Sequence, residues 1–297
     1  MGSAHRSTAA VHRRRLTIVF ALTAATFAVE LVGGIVANSL ALLADAGHLF
    51  SDVVGIGLAL AAIWIGGRPA SAGRTFGYLR VEILAALVNA VLLLGVAVFV
   101  VVEAVRRLTT EPDIASGPML VVALGGLAVN ALSLWLLRDA QRASLNMRGA
   151  YLEVLGDLAG SGAVVIAAIV IAVTGWRPAD ALASAAIAVF ILPRAWTLAH
   201  DALDILLEAT PKGVDLDRVR DHILDATGVE DVHDLHAWTI TSGMPVVSAH
   251  VVLTPDADPP AVLDELCRCL SGDFDIEHST FQLETADRRR LEDATHA

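Results

Sequence analysis

ADAGHLFSD, residues Ala44 to Asp52, lies inside a long apolar run, and a second stretch, AYLEVLGD, residues Ala150 to Asp157, lies inside another. Each carries two metal-capable side chains four residues apart: His48 with Asp52, and Glu153 with Asp157. On a helix, residues at i and i+4 stand one turn apart on the same face. Two such pairs facing each other offer one imidazole and three carboxylates. That is the set of four N/O donors a tetrahedral divalent ion needs.

The apolar context of the two stretches extends along most of the chain. Six windows are long enough to cross a bilayer at about 20 residues each. They are Leu16–Val36, Leu40–Ile65, Leu79–Arg106, Pro118–Leu137, Leu145–Val173 and Ala179–Leu198. The first follows HRRR and continues past Glu30 with no convincing small-residue cleavage site, so it reads as an uncleaved span rather than a signal peptide. The breaks carry a charge asymmetry. Arg6, Arg13, Arg14, Arg15, Arg68, Arg74, Arg80, Arg138, Arg142 and Arg148 fall on one side, and only Arg106, Arg107 and Arg177 on the other. Basic loops stay in the cytoplasm, so both termini are expected there, in a multi-pass protein of the cell membrane.

Composition agrees: 55% of the 297 residues are hydrophobic, and the mean hydropathy of +0.63 exceeds that of an ordinary soluble domain. The net charge of −11 is unevenly distributed. Residues 1–199 net +3, while residues 200–297 net −14. The acidic half excludes nucleic acid as a partner, since phosphate binding needs clustered Lys and Arg. The two cysteines, Cys267 and Cys269, are too few and too close for a disulfide framework, and two residues apart on a helix they do not share a face. Packing and surface roles are expected for them.

Past Ala199 the pattern becomes that of a water-soluble domain. ATPKG, with Pro211 and Gly213, marks a linker. A helix near Asp215–Thr227, strands near Val232–Ile240 and Pro245–Leu253, a helix near Pro259–Leu270 and a strand near Phe274–Glu284 follow. The alternation in VVSAHVVL and STFQLE supports half-buried strands. The expected organisation is an N-terminal tail over residues 1–15, a six-helix transmembrane body over 16–199, a linker over 200–213, a small α+β domain over 214–285, and a frayed tail over 286–297.

Ionisable groups at membrane depth cost several kcal/mol unless paired, hydrated or ion-bound. The four donors of the two pairs are flanked by small residues, Ala44, Ala46, Gly47, Ser51, Gly156 and Gly160, which let helices approach closely. His48 adds a second property. Imidazole titrates near neutrality, and a metal ligand must be deprotonated, so ion entry expels protons and protonation aids release. Asn38, Asn89, Asn130 and Ser133 read as interhelical hydrogen-bonding groups, and Asp45 as a further candidate for the site's face. The chain lacks the HExxH and GxSxG motifs, and no enzymatic activity is expected.

These residues resemble the cation diffusion facilitators, divalent-metal/proton antiporters. The resemblance runs from about residue 16 to 284. It is carried by NSLALLADAGHLFSD, RTFGYLRVEILAALVN (Arg74–Asn89) and LNMRGAYLEVLGDLAGS (Leu145–Ser161), then by LLEATPKGVDLDRV, VHDLHAW, VVSAHV and HSTFQLE in the tail. It implies a homodimer, six spans per protomer, a ferredoxin-like cytoplasmic domain, and zinc or a related divalent ion as substrate and regulator. It implies a transport site at His48, Asp52, Glu153 and Asp157. It also implies a regulatory metal site in the tail, for which the matching positions are His233, His250, His278 and Glu284. Two departures stand out. Glu153 occupies a position where zinc-type members usually carry His, which hardens the site and makes it less selective for zinc over manganese, iron or cobalt. The fourth break, RDAQRASLNMR, lacks the His-rich segment often found there. The alternative reading is a membrane-anchored metal sensor or accessory subunit without transport.

Overall fold

The computed structural model describes residues 2–138 and 145–289. Nine helices and three strands follow along these residues. The fourth break falls mainly on residues 139–144 and lies outside them. Six helices are long and apolar enough to cross a membrane: α1 (Gly2–Ala37), α2 (Leu40–Gly66), α3 (Val81–Thr110), α4 (Ser116–Leu137), α5 (Leu145–Thr174) and α6 (Pro178–Leu206). The six expected spans all appear, with two extensions. The backbone of α1 is helical from Gly2, so residues read as a tail continue the first helix, whose membrane-spanning part is Thr17–Ala37. Likewise α6 runs through the first half of the expected linker, because His200 and Asp204 stand one turn apart and pair at 3.1 Å. The helix ends where Glu208 takes a left-handed φ of 60° and the Ala209 N–H returns to the Asp204 carbonyl at 2.9 Å.

The chain divides into two compact units, Met1–Leu60 with Val88–Ala199, and Ala61–Leu87 with His200–Ala297. In the first unit α4 packs along α5 and α1. Its core is dominated by small and β-branched residues, among them Ala41, Ala44, Ala97, Ala123, Val164, Ala168 and Ala188. Such side chains bring helix backbones together where lipid gives no hydrophobic drive for association. Large apolar residues such as Val36, Phe99, Val121, Trp135, Ile166 and Phe190 face outward, as a bilayer requires.

The α1–α2 turn shows how this unit is pinned. Asn38 takes φ 52° and breaks the helix. Ser39 then caps α2, its Oγ accepting from the Leu42 N–H at 3.2 Å. The Asp180 carboxylate, from the first turn of α6, accepts from the Leu40 N–H at 2.8 Å, the Ala41 N–H at 3.2 Å and the Ser39 hydroxyl at 2.6 Å. Asp180 is fully buried, and Arg107 of α3 approaches it at 3.7 Å. The positive ends of two helices and a guanidinium thus hold one buried charge.

In the second unit, α7 (Leu216–Leu224) is capped by Asp215, whose side chain accepts from the Asp217 and Arg218 N–H groups. Strands β1 (Val229–Thr239) and β2 (Pro245–Leu253) form an antiparallel hairpin, and β3 (His278–Thr285) returns parallel to β2 through α8 (Pro259–Asp273). The sheet order is β1-β2-β3. Val232, Val247, Ala249 and Val251 pack with Val219, Ile223, Val262, Leu266 and Leu270 of the two helices. The helices therefore cover one face of the sheet. A single turn, α9 (Ala286–Arg289), follows β3.

Removing the Asp180 charge strands three donors at the start of α2. Asp180→Ala is expected to lower stability by roughly 3 kcal/mol, the scale on which breaking a buried charge pair costs. Asp180→Asn keeps one acceptor oxygen and is expected to cost less. Thermal unfolding of the purified protein in detergent measures both.

Candidate metal centres

Two helices build the first centre. α2 presents His48 and Asp52 one turn apart, and α5 presents Asp157 opposite them. Nε2 of His48 lies 3.2 Å from Oδ1 of Asp157 and 3.8 Å from Oδ2 of Asp52. One donor atom from each of the three falls within 4.8 Å of the others. His48 and Asp157 are buried and Asp52 is half-buried. Among the described residues Nδ1 of His48 and Oδ2 of Asp52 have no hydrogen-bond partner, so these atoms are not consumed by the helix packing.

Glu153 does not join this cluster. It pairs with Nη1 of Arg194 in α6, and Nη2 of the same guanidinium stands 4.0 Å from Asp52. His48, Glu153, Gly156, Phe190, Pro193 and Arg194 line one cavity of 740 Å3. Arg194 is the functional candidate that the reading of residue types missed. Its signal was an arginine directly after a proline inside the sixth apolar run.

A buried polar network adjoins the centre. The Asp45 carboxylate accepts from the Ser161 hydroxyl at 3.0 Å, and Ser161 accepts from Asn130 at 3.1 Å. Asp45 therefore faces α4 and α5 and is not among the three clustered donors. Glu30 of α1 is fully buried, and neither of its oxygens has a hydrogen-bond partner among the described residues. Its carboxylate abuts Gly126, where a Cβ would overlap it. On the other flank of α2, the Ser51 hydroxyl donates to Asn89 at 3.3 Å.

The second centre lies on the helix-free face of the sheet. His233 of β1 and His250 of β2 are direct cross-strand partners, with ring centroids 5.0 Å apart. Glu284 of β3 completes the set, 3.0 Å from Nδ1 of His250 and 3.4 Å from Nε2 of His233. The strand register explains the convergence: Glu284 is paired with Val252, two residues beyond His250 on the same face. His278 is exposed at the opposite end of β3, paired with Val246. Six residues of strand place it about 20 Å from Glu284, so it does not enter this cluster.

Comparison with known proteins settles the family. The domain described as "Cation efflux transmembrane domain" matches residues 16–207, and that described as "Cation efflux protein, cytoplasmic domain" matches residues 211–286. The chain belongs to the cation efflux family. The metal cation efflux system protein CzcD of Cupriavidus metallidurans is 46% identical over 286 residues, covering 96% of this chain and 90% of that protein. The zinc transporter ZitB of Escherichia coli is 40% identical over 273 residues, covering 91% and 87%. A cadmium, cobalt and zinc/H(+)-K(+) antiporter of Bacillus subtilis is 35% identical over 286 residues, covering 95% and 92%. Among solved structures, the metal-bound C-terminal domain of the CzcD transporter of Cupriavidus metallidurans is 44% identical, with a TM-score of 0.23, covering 24% of this chain and 99% of that one.

Loss of a direct donor is expected to weaken binding at least as much as the 10–100-fold typical for loss of an outer-shell partner. Zinc titration into the detergent-solubilised protein, followed by competition with a fluorescent chelator, is expected to show this for Asp157→Asn at the membrane site. A smaller loss is expected for Asn130→Ala, whose hydrogen-bond chain through Ser161 reaches Asp45 and not the three donors.

Proposed function

We propose that the protein exports divalent transition-metal ions, zinc foremost, from the cytoplasm in exchange for protons. The observation that carries this reading is the convergence of His48, Asp52 and Asp157 from two apolar helices, in a chain of the cation efflux family. One imidazole and two carboxylates suit zinc, cadmium or cobalt. The named functions of the relatives in Cupriavidus, Escherichia and Bacillus support the same set of ions. The protein works as a homodimer with both termini in the cytoplasm, and it is not an enzyme.

The chemistry follows from the donor set. His48 binds a metal ion only through an unprotonated ring nitrogen, so the metal and the proton compete for the same atom. A proton arriving from the acidic side displaces the ion toward that side, and return of the protonated site, which gives up its proton to the cytoplasm, resets the cycle. Arg194 holds Glu153 and shares Asp52, placing positive charge beside the cluster while no ion is bound. Metal entry replaces that charge. Withdrawal of Arg194 releases Glu153 as the fourth donor, which restores the cage read from the sequence. His233, His250 and Glu284 form the regulatory site, reporting metal in the cytoplasm. A sensor without transport would leave the intramembrane donors without a task.

Transport in reconstituted liposomes with internal pH recorded tests this reading. Zinc flux coupled to proton counterflow is expected in the wild type and is expected to vanish in Asp52→Ala. A metal response without flux in the wild type favours the sensor. Arg194→Gln is expected to tighten zinc binding and slow turnover, because the competing charge is gone. Glu153→His is expected to narrow the range of transported ions toward zinc, measured as relative uptake of zinc, cobalt and manganese by everted vesicles.

A further inference from the structure

The outer face of α7 and α8 carries a third cluster of metal-capable groups. We propose that His222, Cys269 and Asp273 form a separate site for a thiophilic divalent ion such as zinc or cadmium. It is chemically softer than the sheet site, and this assignment does not depend on the transport reading.

One donor atom from each residue lies within 4.8 Å of the others. Nε2 of His222 stands 3.8 Å from Oδ2 of Asp273. Sγ of Cys269 stands 3.8 Å from the same oxygen. Donors at the corners of a tetrahedral zinc site, with bonds of about 2.0–2.3 Å, are separated by about 3.3–3.8 Å. The observed spacing therefore requires little rearrangement to accept an ion. Cys269 and Asp273 share one face of α8 by their four-residue spacing, and α7 delivers His222 against them.

The histidine is held in the tautomer a ligand needs. Its Nδ1 lies 3.1 Å from the Arg218 carbonyl oxygen. A carbonyl only accepts, so Nδ1 carries the hydrogen, and Nε2, on the side of Cys269 and Asp273, is the ring nitrogen that a metal ion would take. A ligating histidine typically donates its other nitrogen to a carbonyl or carboxylate in this way. Phe274 holds the ring edge-on, with centroids 5.0 Å apart and planes at 85°.

The cysteine has no better role in sight. Burial, with Asp273 and Glu265 nearby, pushes its thiol up from the ordinary value, which disfavours a reactive thiolate. The same negative surroundings attract a cation. Cys267 is on a different face of the helix, with its Sγ 3.7 Å from the Ser279 hydroxyl. The sheet site, with two imidazoles and a carboxylate, offers no sulfur. The α7–α8 site does, and thiolate selects zinc-like ions over harder ones. Three protein donors and partial exposure leave a coordination position open, as suits an ion that must exchange.

Cobalt(II) titrated into the full-length protein in detergent tests the assignment, since only thiolate ligation gives a sulfur-to-cobalt charge-transfer band and the chain has two cysteines. The band is expected in the wild type and in Cys267→Ser and is expected to be absent in Cys269→Ser. His222→Gln is expected to raise the cobalt concentration needed for the band at least about tenfold, with unchanged thermal unfolding showing that the domain is intact. No band at saturating cobalt, a band that disappears with Cys267 instead, or a band indifferent to His222 overturns the proposal.

Discussion

A carboxylate placed among apolar helices must have its charge answered, by a cation, by helix ends, by hydrogen bonds or by a proton. The membrane unit shows several of these answers at once. Asp180 is answered by the starts of α2 and α6 and by Arg107. Asp45 takes the Ser161 hydroxyl, Glu153 takes Arg194, and Asp52 and Asp157 converge on His48. The distribution explains why the chain uses so many small residues. Only close-packed backbones bring Asp180 to the first turn of α2, or set Gly126 against Glu30. The fixed charge at the α1–α2 turn also places α2, and with it the height of His48 and Asp52.

The second unit solves a related problem with strands. A sheet covered by helices on one side leaves its other side to polar groups. There the pairing of β1 with β2 sets two imidazoles face to face, while the parallel return of β3 delivers a buried acid beneath them. The helical side builds a cluster of different composition from the ends of α7 and α8. The same short domain thus presents nitrogen-rich donors on one surface and a sulfur-bearing set on the other.

Much of this was legible in the residues. Runs of apolar side chains gave the six spans, because span length is a property of the bilayer rather than of the packing. Alternation in VVSAHVVL marked β2, and the four-residue spacing of His48 and Asp52 placed them on one face. The rotation of one helix against another was not legible, since it depends on contacts distant in the chain. Hence Glu153, four residues before Asp157, turns to Arg194 instead of joining its neighbour. His278 was drawn into the sheet site by resemblance alone, whereas strand rise carries it to the far end of β3. Cys269 looked solitary because its neighbour His222 is on another helix. The extent of α6 was underread because polar residues after Ala199 resembled a linker, although their spacing suits a helix.

Pro193 has a mechanical consequence. A proline within α6 has no N–H to give to the carbonyl one turn earlier, and its ring crowds that carbonyl. The helix is therefore weakest as a rod directly before Arg194. Arg194 follows Pro193 directly, so a bend there would shift its guanidinium relative to the earlier part of the helix. Because Arg194 pairs with Glu153, such a bend would act on that ion pair directly.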